Sequence, residues 1–205
     1  MQWQTNLPLI AILRGIRLHE AYEHVSALID AGFDAIEVPL NSPNWEETLP
    51  NLVNHFGERV LIGGGTVLTP SHTEQLAEFG CKLIVTPNTD PDVIQTAVAL
   101  GMIVYPGCAT ATEAFSALKA GAQGLKIFPS SAFGPDYIRA LKAVLPIDIP
   151  LFAVGGVTPE NLHTWLAAGC SGAGLGSDLY RAGQPLSRTE EKAHAFVQAY
   201  REAIA

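Results

Sequence analysis

Cysteine is scarce in this chain. Cys81, Cys108 and Cys170 are scattered over 205 residues, odd in number and with no Cys-x-x-Cys pair. That pattern argues against a disulfide framework and for a reducing cytoplasm. Basic residues are also few, 12 Lys and Arg against 20 Asp and Glu, for a net charge of -8. Neither nucleic acid nor a membrane surface is therefore expected as the main partner. An anionic small molecule would need a local site, built from backbone amides and a few basic side chains. No apolar run approaches the roughly 18 residues of a membrane span. The start of the chain, from Met1 to Pro8, lacks a charged region followed by a long apolar run, so no secretory leader is expected. The six histidines (His19, His24, His55, His72, His163 and His194) form no His-x-His or His-Glu-x-x-His and mostly fall in helical patterns. Surface positions are expected for them, and no metal or other cofactor is called for. Gly-x-Ser-x-Gly is absent too, so the serines carry no hydrolase signal.

What the chain does have is apolar content, 48% of residues, enough for a sizeable core. Short β-type runs alternate with longer helical ones. The expected strands are Leu9–Leu13, Asp34–Pro39, Arg59–Gly63, Leu83–Thr86, Ile103–Tyr105, Gly124–Phe128, Leu151–Val154 and Gly172–Leu175. Between them apolar residues recur at three and four spacing, as in Leu18–Ala31. Ser71, Asp90, Thr110 and Thr158 are plausible helix caps. Gly32, Gly80, Gly101, Gly121 and Gly169 each stand where a helix should end before the next strand. The last helix is expected at about Thr189–Ile204. Eight strands alternating with helices, with no linker or change of composition, predict one α/β domain over residues 1–205, a (β/α)8 TIM barrel.

Two of these apolar strands carry a charge in their interior. Glu37 lies in Asp34-Ala-Ile-Glu-Val-Pro39 and Lys126 in Gly124-Leu-Lys-Ile-Phe-Pro129. A buried charge costs several kcal/mol unless it is paired or neutralised. The two fall on the second and sixth expected strands, opposite one another in an eight-stranded barrel. Inward residues of alternate strands share a layer there. A lysine made neutral by burial attacks ketones, and a facing carboxylate can move the protons. The bland alternative is a buried salt bridge without chemistry. Lys82 sits at a strand start and reads as a surface residue; Lys119, Lys142 and Lys192 fall in helical patterns and read as solvated.

The segments Phe152–Pro159 and Gly172–Ser177 follow the seventh and eighth strands, where barrels often bind phosphate through bare backbone amides. Gly155, Gly156, Gly176 and Ser177 are the candidate donors. Gly63-Gly-Gly-Thr66, read as the loop after the third strand, offers amides and the Thr66 hydroxyl to a carboxylate, and Arg14 at the end of the first strand can join it. A rim salt bridge for Arg14 and a turn hydroxyl for Thr66 are the ordinary alternatives.

Through Glu37, Gly65-Thr-Val-Leu68, Lys126-Ile-Phe-Pro129, Gly155-Gly156 and Gly176-Ser177, the chain resembles the 2-keto-3-deoxy-6-phosphogluconate aldolase family of class I aldolases. The resemblance runs from about Pro8 to Ser177. It implies a homotrimeric barrel, needing no cofactor, that cleaves a phosphorylated keto sugar acid to pyruvate and glyceraldehyde 3-phosphate. Lys126 matches the family's Schiff-base lysine, Glu37 its proton shuttle and Thr66 its pyruvate-carboxylate contact. Asn41 stands where many members have an arginine, which shifts weight to Arg14. Val154 stands where many have threonine beside the phosphate loop. Within the family the chain is most similar to members acting on the galactonate epimer, with Val154 as the selectivity position. Two other functions share such a barrel: a sugar-phosphate isomerase or epimerase with Glu37 as enolising base, and a non-catalytic phosphate-ligand binder.

Overall fold

The computed structural model describes residues 6–205. The expectation about a leader begins in residues 1–5, outside the described residues. The elements in chain order are β1 (Leu9–Ile12), α1 (Leu18–Ala31), β2 (Ala35–Pro39), α2 (Trp45–Phe56), β3 (Leu61–Gly65), α3 (Pro70–Glu78), β4 (Leu83–Val85), α4 (Pro91–Ala99), β5 (Ile103–Tyr105), β6 (Gly107–Cys108), α5 (Ala111–Lys119), β7 (Leu125–Ile127), α6 (Ser130–Lys142), β8 (Leu151–Val154), α7 (Leu162–Ala167), β9 (Gly172–Leu175) and α8 (Leu186–Ile204). The strands pair in parallel in the order β5-β4-β3-β2-β1-β9-β8-β7-β6.

β5 and β6 are one strand interrupted at Pro106. Proline has no N–H to give the ladder. The stretch before it pairs with β4 and the stretch after it with β7. The Tyr105 carbonyl accepts from Thr86 N (3.4 Å), and the Pro106 carbonyl accepts from Lys126 N (2.9 Å). Both ends of the sheet thus meet in one segment, which nearly closes it into the expected α/β barrel, with eight strands and eight helices among the described residues.

Side chains alternate across each strand, so every strand feeds two cores. Ile10, Ala35, Leu83, Val85, Tyr105 and Phe152 fill the lumen, with the Tyr105 and Phe152 rings edge to face at 4.8 Å between centroids. Leu9, Ala11, Ile36 and Val38 point outward into the larger shell between strands and helices. Burial on both faces explains why the strands read as unbroken apolar runs.

The five helix-ending glycines all adopt positive φ. Asp90 and Thr110 cap α4 and α5 as expected. Several boundaries differ, three of them for a clear local reason. Thr69, not Ser71, caps α3, because Pro70 takes the first helical position and His72 N donates to the Thr69 hydroxyl (3.2 Å). α7 starts at Leu162 after Asn161, whose side-chain oxygen accepts from Thr158 N, so Thr158 opens a turn before the helix. β3 runs two residues further than Arg59–Gly63 predicts, taking in the whole glycine triplet. Among the described residues no helix is long and apolar enough to cross a membrane.

Candidate active site

Ladder register sets the two charged residues in the lumen. Glu37 aligns with Ile12 on one side and Gly63 on the other; Lys126 aligns with Gly107 and Phe152. Both are buried, Glu37 at 2% and Lys126 at 6% exposure. Glu37 Oε2 has no hydrogen-bond partner. No ion pair within 4.0 Å joins the two among the described residues. The lysine is therefore not locked in a salt bridge. Its Nζ lies 4.8 Å from the centre of the Phe128 ring.

Gly65 makes the acid's position feasible. A Cβ at residue 65 would overlap Glu37 Oε2, and one at residue 63 would overlap Leu83. The glycines that look like a loop in the sequence are the strand's concession to the carboxylate and the lumen packing.

Burial works on both groups in the direction of neutrality. It pushes the Glu37 carboxyl up to about 7, against the pull of Lys126 and Arg14. It lowers the Lys126 ammonium, against Glu37 and aided by Arg14. Desolvation disfavours each charged form. The outcome is an amine more readily uncharged than a surface lysine, and a carboxyl that titrates near neutrality, the range suited to proton transfer.

Above the lysine opens a cavity of about 640 Å³. Arg14, Lys126, Val154, Gly155, Gly156, Gly176 and Ser177, all expected site residues, share its wall. Glu37 and Thr66 are not on that wall. Thr66 is reached through Arg14, whose two terminal nitrogens each lie 3.4 Å from the Thr66 hydroxyl and whose Nη1 also donates to Asn41 Oδ1 at 2.5 Å. The rim salt bridge considered for Arg14 is absent among the described residues. Thr66 itself has φ of 54°, unusual for a β-branched residue. Gly155 and Gly156 have φ of 99° and 75°, a path that side chains resist and that leaves the loop bare.

Three features escaped the sequence. Arg181 lines the same cavity, and its Nε donates to the Ser177 carbonyl (2.8 Å). No local pattern marks it, since Ser177 and Arg181 lie in a turn region before α8. Lys192, expected to be solvated, pairs with Asp178 of the cavity wall at 2.7 Å, its side chain 13% exposed. His24, expected at the surface, is buried, with Nδ1 2.8 Å from the Thr189 hydroxyl.

The family model for KDPG and KHG aldolases matches residues 2–191. The chain belongs to that family. It is an aldolase, a carbon–carbon lyase. The aldolase is 69% identical over 204 residues to 2-dehydro-3-deoxy-6-phosphogalactonate aldolase of Escherichia coli K12, covering 100% of both chains. It is 47% identical over 193 residues to the probable enzyme of that name from Rhizobium meliloti, covering 94% of this chain and 91% of the relative. The solved native KDPGal structure superposes with a TM-score of 0.99 at 69% identity, over 100% of the aldolase and 99% of that chain.

Proposed function

We propose that the aldolase cleaves 2-dehydro-3-deoxy-6-phosphogalactonate to pyruvate and glyceraldehyde 3-phosphate through an imine on Lys126. The observation that carries this is the buried amine of Lys126 on the cavity wall, without an ion-pair partner among the described residues, in a lumen shared with Glu37, whose Oε2 has no hydrogen-bond partner.

The neutral Nζ adds to the C2 ketone, and a proton passes from nitrogen to the former ketone oxygen, giving a carbinolamine. Uptake of one proton and loss of water give the protonated imine, an electron sink. Glu37 takes the proton of the C4 hydroxyl, directly or through water. The C3–C4 bonding pair flows into the imine, and the phosphorylated aldehyde leaves. Glu37 returns its proton to C3 of the enamine, and water releases pyruvate and the free lysine. Arg14, oriented by Asn41, and Thr66 hold the C1 carboxylate. Amides of Gly155, Gly156, Gly176 and Ser177 hold the phosphate at the far end. Val154 sets an apolar surface on the cavity wall between lysine and phosphate loop, where a threonine would offer a hydroxyl. This supports the galactonate epimer, as does the name of the 69% identical relative. A single catalytic domain over residues 1–205, a homotrimer and a cytoplasmic location complete the proposal.

The test has two parts. Borohydride added in the presence of pyruvate should leave a reduced adduct on the peptide carrying Lys126, seen by mass spectrometry; an adduct elsewhere, or none, overturns the imine assignment. Pyruvate release should be faster from the galactonate than from the gluconate epimer; the reverse order overturns the substrate assignment.

A further inference from the structure

Arg181 is a cation on the cavity wall to which the mechanism gives no task. Three cations face that space: Lys126, Arg14 and Arg181. Lys126 is assigned to the ketone, and Arg14 is turned toward Asn41 and Thr66. Arg181 has no acidic partner among the described residues. The one carboxylate on this wall among those residues is Asp178, and Lys192 already occupies it at 2.7 Å.

Its placement is built rather than incidental. Arg181 Nε donates to the Ser177 carbonyl, anchoring the guanidinium beside the loop that carries Gly176 and Ser177. Arg181 N donates to Gln184 Oε1 (3.0 Å), and Gln184 Nε2 donates in turn to the Leu179 carbonyl (3.0 Å) and the Thr189 hydroxyl (2.7 Å). The Nε bond leaves both terminal nitrogens of the fork available.

We propose that Arg181 is the charge partner of the substrate's 6-phosphate, a proposal that rests on the cavity holding a phosphorylated keto acid as argued above. Backbone amides supply dipoles but no net charge. A phosphate monoester carries a charge of about -1.5 to -2 at neutral pH. A chain of net charge -8 repels such an anion at long range, so a local cation has to offset both effects. Guanidinium suits the role, since its planar fork matches phosphate oxygens in pairs. The competing role is purely structural: a side chain that only ties down the Ser177 carbonyl.

Kinetics of Arg181→Met and Arg181→Lys separate the two roles. Each variant is assayed with the phosphorylated substrate, with the same keto acid lacking phosphate, and with inorganic phosphate as competitive inhibitor. Arg181→Met should raise KM for the phosphorylated substrate roughly 10- to 100-fold, with kcat far less affected. Inhibition by inorganic phosphate should weaken in parallel, turnover of the unphosphorylated acid should hardly change, and Arg181→Lys should recover much of the loss. An equal loss on both substrates, or unaltered inhibition by inorganic phosphate, overturns the proposal. Pyruvate trapping on Lys126 involves no phosphate. Its failure in the wild-type enzyme would remove the imine mechanism while the inhibition data still decide the role of Arg181.

Discussion

Glu37 is the residue whose environment differs most from that of an ordinary surface carboxylate. Burial moves it from 4.5 to about 7. To take the C4 proton it must be ionised, so kcat/KM for cleavage should fall as pH drops through about 7. Glu37→Gln should abolish that limb and lower kcat/KM by about 10²- to 10⁴-fold, measured as a pH–rate profile. Stability follows the same shift with a definite sign. The folded state keeps a proton that the unfolded chain releases above 4.5. The residue's contribution is therefore full below that value and is lost as pH rises through about 7. Glu37→Gln should gain on the wild type by about 3 kcal/mol between acidic and mildly alkaline solution, at 1.36 kcal/mol per pKa unit, read from urea melts at both ends of that window. Both charged residues were legible in the sequence because each interrupts an apolar run. Arg181 was not, since an arginine in a polar loop looks like any solvated one until the chain folds it over the cavity.

Among the elements, β3 shows where sequence patterns mislead. Three successive glycines signal a turn, yet Gly63–Gly65 pair along the ladder with Leu83–Val85. The requirement comes from neighbouring strands, and no local pattern encodes it: Glu37 and Leu83 occupy the volume that side chains would need. The (β/α)8 alternation itself was legible, because helical and strand periodicities are local. The split of the fifth strand at Pro106 was not, since it depends on which neighbour each half meets. Gly65→Ala tests the glycine's role. The position needs no left-handed backbone, so the fold should survive, but the methyl must displace the Glu37 carboxyl. The expected result is a loss of kcat of about 10²-fold or more, the cost of misplacing a catalytic group, with a melting temperature far less affected than kcat.

At the scale of the whole molecule the two cores have unequal duties. Among the described residues the outer shell joins eight helices to the sheet, whereas a smaller cluster of six buried apolar residues packs the lumen. Phe152 is fully buried there and meets Tyr105 edge to face. Phe152→Ala should destabilise the aldolase by about 3–5 kcal/mol, measured by urea unfolding, since the surrounding strands cannot collapse into the space left behind.

The Pro106 carbonyl, in the segment where the two ends of the sheet meet, is the acceptor for Lys126 N. The nucleophile is thus riveted to the seam of its own cylinder. A breath that parts the ring there slackens the strand bearing the amine before any helix has left its place, so heat should disarm this catalyst ahead of melting it.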